Sequence, residues 1–400
     1  MRTRLAIALL GAGLGACGGT TAPQPVELFT RVDAAPTPYV DPGTERFSVA
    51  PVEAVGATRA GTLVVAGDGR VQEVVAGALT RRTLYANGSL DALGAVAQVS
   101  PRVEGGAWLA AANGLFVLEG EYVSASPLSE GRGGVFSVVE RSAGALEGLW
   151  FASDSGLVRR KGSALDALLV PGLVTVKQVA ISGDGARGFA AGEGGLRLLS
   201  VVEGRLMAQE PVLTLTDVSH VAAGRTVLGA LAREGLVIVD PGRTPAWRLF
   251  PLTGHTLLAL AGDGTADVLW LRTADGVLAV EGDTVKRLEV AAAASVSLAL
   301  TPGGDVLVSS EDGVRRLRTG VGTTDVSFAR DLAPWLSTTC GACHSTYTNL
   351  PDFAPRAEDA LRRVKNGDMP RCDGSTRCAQ PLSPSDYAVL DGWIRGGKQP

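Results

Sequence analysis

The chain is poor in the side chains on which most protein chemistry depends. Its 400 residues include only three histidines, five cysteines and three methionines, so imidazole, thiol and thioether ligands can occur in few places. The motifs G-x-S-x-G, H-E-x-x-H and the phosphate-binding glycine loop are all missing from the sequence, which removes the usual sequence signals of serine hydrolases, zinc proteases and P-loop proteins. A net charge of −4 gives no support to nucleic-acid binding.

Long apolar runs are also scarce, and the one at the start is predicted to be a signal segment covering residues 1–16. Arg2 and Arg4 precede an apolar run that is too short to span a bilayer. The run ends in Leu-Gly-Ala followed by Cys17, which resembles a bacterial lipobox and implies that Cys17 is lipidated. An ordinary signal peptide with an incidental cysteine is the alternative. Acyl chains on Cys17 would anchor the chain to a membrane without a spanning helix.

A tether is predicted over residues 17–45, where proline, threonine, alanine and glutamine are frequent. Gly18, in the place where Asp would favour the inner membrane, weakly favours the outer membrane. We therefore expect a bacterial cell-envelope protein on the periplasmic side or at the outer membrane. The short apolar run Val26–Thr30 is a possible strand, and we expect it to complete the outer edge of the last repeat described below.

Residues 46–324 contain a repeat of about forty residues. Each unit has an alternating apolar run that leads into a tight turn with glycine, which is typical of a β-hairpin. Short β-rich units at this period predict a seven-bladed β-propeller. The repeated Trp/Phe-x-Ala-x-x-Gly-Leu form resembles the propellers of bacterial hybrid sensors, which implies architecture and no particular ligand. The turn glycines lie at positions 69, 114, 156, 195, 235, 276 and 313.

The strongest chemical signal follows the repeats, at Cys340-Gly-Ala-Cys343-His344. Two thiols three residues apart, followed at once by an imidazole, form the motif that attaches a c-type haem. The thiols of Cys340 and Cys343 would form thioethers with the two vinyl groups, and His344 would ligate the iron as proximal ligand. A redox dithiol or half of a zinc site is the alternative.

Met369 is the candidate for the second axial ligand. It precedes Pro370 in a polar stretch, where a thioether is unexpected unless it coordinates a soft metal. The alternative is a methionine that fills a gap in a small core. Further on, Ser383 and Pro384 predict the start of a closing helix.

Residues 325–400 resemble the small monohaem cytochrome c domains that are attached to larger bacterial extracytoplasmic proteins. The resemblance is carried by the C-x-x-C-H motif, the Met-Pro pair, a Leu-Ser turn and the ending Trp393-Ile-Arg-Gly-Gly. It implies a small all-α domain with covalent haem c at Cys340 and Cys343, and with His344 and Met369 as axial ligands. Two departures from the family are a short stretch before Met369 and an insertion after it.

That insertion contains Cys372 and Cys378. They are the pair left once Cys17, Cys340 and Cys343 are assigned, and in an oxidising compartment they are expected to form a disulfide. Two free thiols are the alternative.

The propeller itself carries little chemistry in its sequence. His220 and His255 are the two histidines outside the motif, and each is interpreted as a structural residue. Repeated Asp-Gly pairs fit turns better than calcium sites.

Taken together, the sequence predicts a mainly β protein, a seven-bladed propeller followed by a small all-α haem domain. We expect a lipid-anchored electron carrier that passes single electrons to a redox partner protein, in preference to a catalyst. The alternative is a quinone-dependent sugar or alcohol dehydrogenase fused to its cytochrome. In an electron carrier the propeller would be a docking scaffold, and in a fused dehydrogenase it would be the catalytic part. The sequence does not specify a ligand for it.

Overall fold

The computed structural model describes most of the chain from residue 29 onward. The described residues are 29–39, 44–48, 52–59, 61–75, 78–84, 93–213, 215, 217–262, 264, 266–290, 297–310, 313–317, 319, 328–340, 344–365 and 387–395.

Seven antiparallel sheets follow one another along the chain and form the blades of a β-propeller. The prediction of a mainly β, seven-bladed propeller is confirmed. Blade 1 has strands β4 to β7, and blade 2 has β9 to β12, with the short β8 (Thr83–Leu84) parallel to its outer edge. In blade 1 the strands are Ala54–Ala57, Leu63–Gly67, Arg70–Val75 and Ala78–Arg81; in blade 2 they are Val96–Pro101, Ala107–Ala111, Gly114–Glu119 and Tyr122–Ala125.

Blades 3 and 4 contain β13 to β16 and β17 to β20. In blade 3 the strands are Val135–Arg141, Gly148–Ser153, Gly156–Lys161 and Ala164–Leu168; in blade 4 they are Thr175–Ile181, Arg187–Glu193, Gly195–Val202 and Arg205–Gln209. A short 3-10 turn, Pro127–Ser129, precedes blade 3.

Blades 5, 6 and 7 begin with β21, β25 and β29. In blade 5, β21 to β24 are His220–Ala223, Leu228–Ala232, Gly235–Val239 and Trp247–Phe250. In blade 6, β25 to β28 are Leu257–Ala261, Val268–Thr273, Gly276–Glu281 and Thr284–Glu289. In blade 7, β29 to β31 are Leu298–Leu300, Val306–Ser310 and Gly313–Leu317.

Every glycine of the predicted period lies at the hairpin between the second and third strands of a blade. In blade 1 this turn is Asp68-Gly69, and both residues have positive φ, 52° and 62°. A two-residue turn with positive φ at both positions matches the right-handed twist of the strands that it joins. The regular spacing of these glycines in the sequence therefore reflects one hairpin per blade.

The core of the propeller consists of buried apolar clusters between neighbouring blades. One cluster joins blades 1 and 2, and the series continues around the disc to the cluster that joins blades 7 and 1. Trp108, Trp150 and Trp270 occupy the same register position in the second strands of three blades and are buried. Since each blade buries both faces against its neighbours, most side chains of its inner strands are apolar.

Three N-terminal strands lie along the outer edges of the last three blades. Strand β1 (Phe29–Arg31) pairs in parallel with β24 of blade 5, and β2 (Thr37–Pro38) pairs in parallel with β28 of blade 6. Strand β3 (Thr44–Phe47) pairs antiparallel with β31 and is the fourth strand of blade 7.

This arrangement differs from two expectations drawn from the sequence. The strand that completes blade 7 is Thr44–Phe47 instead of Val26–Thr30. Within the segment expected to be tether, Phe29–Arg31 and Thr37–Pro38 pair with the edges of blades 5 and 6. The reason is the length of chain between each strand and blade 1. Strand β3 is separated from blade 1 by a short link and so meets the neighbouring blade 7, whereas Phe29 lies further back in the chain and meets blade 5.

Polar side chains on the first strands, or just before them, link several of the blades to the next blade. The backbone N–H of Val138 donates to Gln98 Oε1 (2.9 Å), that of Val221 donates to Gln178 Oε1 (2.8 Å), and that of Val55 donates to Ser297 Oγ (3.0 Å). The last of these hydrogen bonds joins blade 7 to blade 1, so it lies at the closure of the ring.

After the propeller, the described residues are helical. A π-helical turn, Phe328–Leu332, leads into α1 (Ala333–Thr339); a 3-10 turn, Ser345–Thr348, precedes α2 (Leu350–Phe353) and a second 3-10 turn, Ala354–Arg356. Helices α3 (Ala357–Lys365) and α4 (Ala388–Arg395) follow. Leu336 of α1, Leu361 of α3 and Leu390 of α4 are buried. The proposed start of the closing helix at Ser383 lies outside the described residues.

Candidate functional site

The candidate site is the segment from Cys340 to His344 at the end of α1. The backbone N–H of Cys340 caps the helix by donating to Leu336 O (2.8 Å). The backbone N–H of His344 in turn donates to Cys340 O (2.8 Å), so a single hydrogen-bonded turn joins the first and last residues of the motif. The turn holds the backbone of Cys340, which carries a thiol, close to the backbone of His344, which carries the imidazole.

An apolar and aromatic cluster lies beside this segment, and we call it the C-terminal cluster. The half-buried side chain of Cys340 packs against it. Three of its rings, those of Phe328, Phe353 and Trp393, contact one another with centroids 5.5 to 6.3 Å apart. The buried members are Phe328, Leu332, Leu336, Phe353, Ala357, Ala360, Leu361, Leu390 and Trp393.

The imidazole of His344 is half-buried and stacks on the ring of Tyr347. The two ring centroids are 4.4 Å apart and the planes differ by 9°. Tyr347 also donates its backbone N–H to His344 O (3.0 Å), and its ring contacts Phe353 with centroids 5.1 Å apart. The imidazole is therefore connected through Tyr347 to the C-terminal cluster.

The chemistry of these side chains fits a covalent haem. A thiol and an imidazole are among the donors that c-type attachment and proximal ligation require, and apolar and aromatic side chains lie beside them. Sequence reasoning missed Tyr347 as a neighbour of His344, although an aromatic residue three positions after the histidine was a signal that could have found it.

The other predicted site residues lie outside the described residues. These are the attachment cysteine Cys343, the distal ligand Met369, the disulfide pair Cys372 and Cys378, and the lipidation site Cys17.

Of the two propeller histidines, His220 lies at the start of β21 and His255 lies between β24 and β25. His220 begins β21 at the register position that Gln178 has in blade 4, and its Nδ1 lies 3.2 Å from Ser219 Oγ. Burial lowers the pKa of His220 below its ordinary value, which favours the neutral ring. His255 Nδ1 lies 3.9 Å from Asp275 Oδ1. The pKa of Asp275 is lowered below its ordinary value, and the main cause is the hydrogen bond from the Thr273 side chain.

The first strands of all seven blades line a central cavity of about 190 Å³. Two charged side chains at its wall, Glu140 and Arg141, make hydrogen bonds to neighbouring protein groups. Glu140 Oε2 accepts the backbone N–H of Val103 (2.7 Å) and the indole N–H of Trp108 (2.9 Å), and Arg141 donates to the carbonyl of Ile181 (2.6 Å). Across the part of the chain that the structure describes, no cluster of three or more His, Cys, Asp or Glu side chains could hold a metal ion.

Among the described helices, none combines the length and apolar character needed to cross a membrane.

Comparison with known proteins extends the fold assignment. No family model matches the chain, and no curated protein matches it in sequence. Solved structures do match. A streptogramin B lyase is 13% identical with a TM-score of 0.52, and the match covers 68% of this chain and 96% of that chain.

Virginiamycin B lyase from Staphylococcus aureus is 11% identical with a TM-score of 0.51, covering 68% of this chain and 98% of that one. The extracellular domain of a putative hybrid two-component system from B. thetaiotaomicron is 12% identical with a TM-score of 0.52; the match covers 70% of this chain and 40% of that chain. At such identities the likeness concerns the propeller fold alone.

Proposed function

We propose that this chain is a membrane-anchored c-type cytochrome of the bacterial cell envelope that transfers single electrons through one covalent haem. The observation that carries the proposal is the hydrogen-bonded turn from Cys340 to His344 beside the C-terminal cluster. It supports the interpretation of C-x-x-C-H as a haem-attachment motif, because attachment needs both thiols and the imidazole within one turn of backbone.

Cys340 and Cys343 would hold the haem by thioethers. Each thiol would add across one vinyl double bond, with a sulfur–carbon bond formed, the thiol proton passed to the neighbouring vinyl carbon, and no leaving group. His344 would donate a ring-nitrogen lone pair to the iron. When bound, the haem supplies reversible one-electron chemistry between ferric and ferrous iron.

Met369 is proposed as the second axial ligand, on the strength of the sequence pattern and the family resemblance. Methionine opposite histidine raises the potential of the haem iron and leaves no open position for oxygen or peroxide. This ligand pair suits an electron carrier better than a haem enzyme. We further propose the Cys372–Cys378 disulfide just after this ligand, since both cysteines would lie in an oxidising compartment.

The propeller is proposed as the scaffold on which a redox partner protein docks, and Cys17 as the lipid attachment that keeps the chain at a membrane. The seven-bladed disc supports the first role, because rigid propellers present two broad loop-bearing faces. The lipobox-like sequence before Cys17 supports the second.

Co-expression of the full chain with a c-type cytochrome maturation system tests the proposal. The purified protein should carry haem that survives acid–acetone extraction and gives a pyridine haemochrome spectrum of the two-thioether type. Cys340→Ser and Cys343→Ser should each lose one thioether and shift that spectrum, whereas the matched control Cys372→Ser should retain it. A colourless wild-type protein, or haem that extracts freely, would refute the proposed function.

Two further arms use the same preparations. Reduced wild-type protein should be reoxidised reversibly in a single one-electron step, and Cys17→Ser should move the haem protein from the membrane fraction to the aqueous fraction. Haem reduction by an aldose or alcohol in the presence of added quinone would instead support the fused dehydrogenase.

A further inference from the structure

The stacked pair of His344 and Tyr347 carries an inference that rests on the proposed haem function and extends it. We propose that Tyr347 is a positioning residue, whose ring fixes the plane of the His344 imidazole for ligation of the haem iron. In metal sites the partners of a ligating histidine orient its ring, most often through a hydrogen bond to the second ring nitrogen. Here an aromatic face takes that role.

The geometry of the pair restricts rotation of the imidazole. With 4.4 Å between centroids and 9° between planes, the two rings are in face-to-face contact. Turning the imidazole about its Cβ–Cγ bond would tilt it out of this contact and lose the stacking interaction. Such aromatic interactions contribute to stability beyond the area that they bury.

Tyr347 is itself held at two points. Its backbone N–H donates to His344 O (3.0 Å) within the 3-10 turn Ser345–Thr348, so the backbone spacing of the two residues is set. Its ring meets Phe353 at 5.1 Å with planes 57° apart. Phe353 is fully buried, and its ring contacts those of Phe328 and Trp393.

The Tyr347 ring therefore contacts both the imidazole and the C-terminal cluster, and it restricts the imidazole although His344 itself is partly exposed. The consequence concerns the iron. The orientation of an axial imidazole plane determines which of the two iron d orbitals of π symmetry it perturbs, and so governs the electronic anisotropy of ferric haem. A fixed ring gives one orientation and one spectroscopic species.

The test compares haem-loaded full-length variants. Tyr347→Leu removes the flat face but keeps apolar bulk, Tyr347→Phe keeps the face and loses only the hydroxyl, and Tyr387→Leu is the matched control. Tyr387 is another half-buried tyrosine that packs against the same cluster. The measurements are the low-spin electron paramagnetic resonance signal of ferric protein and the proton NMR shifts of the four haem methyl groups.

We expect Tyr347→Leu to broaden or split the low-spin signal and to change the spread of the haem-methyl shifts. Tyr347→Phe and Tyr387→Leu should both match wild type. If Tyr347→Leu matures poorly, Tyr347→Met also fills the space without a flat face and should show the same changes.

Covalent haem with unchanged spectra in Tyr347→Leu and Tyr347→Met would overturn this inference and leave the proposed function intact. Equal changes in Tyr387→Leu would overturn it as well, because a general loosening of the cluster would then explain the effect. A wild-type chain without covalent haem would overturn both.

Discussion

Replacing Phe353 by alanine should open the C-terminal helices while the propeller stays folded. Phe353 is 0% exposed and its ring contacts those of Phe328, Tyr347 and Trp393. All buried members of this cluster come from residues 328–393, so the loss falls on the helices alone.

The magnitude follows from the burial. A buried Phe ring removes about 150–250 Å² from water, which at about 25 cal/mol per Å² is an upper value of about 4–6 kcal/mol. Measured Phe→Ala substitutions in cores cost about 3–5 kcal/mol. A core of this small size supplies only about 3–5 kcal/mol in total, so the substitution removes most of it.

Hydrogen–deuterium exchange of the haem-loaded full chain, read by mass spectrometry, measures this directly. A loss of about 3 kcal/mol lowers amide protection by roughly 150-fold, which should be seen in α3, while β14 of the propeller should exchange as in wild type. Phe353→Leu, which retains much of the apolar volume, should lose far less protection.

Two results would refute the reasoning. If Phe353→Ala kept the protection of α3 within a few-fold of wild type, the ring contacts would not be what holds the helices together. If β14 lost protection to the same extent, the cluster would not be a separate core.

Two further predictions concern the propeller. Ser297→Ala removes the acceptor of the Val55 N–H at the junction of blades 7 and 1. The expected loss of unfolding free energy is about 1 kcal/mol, or about 2–4 °C in Tm by calorimetry. The control Ser163→Ala replaces an exposed turn residue and should leave Tm unchanged. An equal Tm for Ser297→Ala and wild type would contradict a closing role for this hydrogen bond. His220→Gln tests the lowered pKa of that imidazole: the unfolded chain binds the proton first, so the His220 contribution to stability is present above about pH 6.5 and is lost as pH falls through the lower folded value. The urea midpoint of wild type should therefore fall more between pH 7.5 and pH 5 than that of His220→Gln, and parallel decreases would rule out this account.

The architecture of the propeller could be predicted because its signal is local and repeated. Gly69, which has a positive φ, lies in a two-residue turn that the sequence displays directly, and the other glycines of the period lie at the same hairpin of their blades. Seven repeats of that turn, with apolar strands on both sides, leave few alternatives to a closed disc of blades.

The edge pairings of the N-terminal segment could not be predicted in the same way. The outer strands of all blades offer similar unpaired edges, so the apolar character of residues 26–30 did not specify a partner. Strand β3 pairs through Phe47↔Val314 and Thr44↔Leu317, a choice that depends on the length of chain between it and blade 1.

The candidate site was predictable in its donor atoms and not in their surroundings. The spacing of Cys340, Cys343 and His344 indicates haem attachment from the sequence alone. The ring of Tyr347, by contrast, faces the imidazole because of side-chain packing against Phe353. Contacts of that kind depend on rotamers and tertiary neighbours that no spacing rule encodes.

The course of the N-terminal strands has a mechanical consequence. Strands β1 and β2 are extra fifth strands on blades 5 and 6, and β3 is the strand that completes blade 7. A load applied at the amino-terminal end would therefore separate the pairings of β1 and β2 before it reached β3, which completes blade 7. In a protein held by its first residues, blade 7 would therefore be the last of these three blades to lose its N-terminal strand under tension.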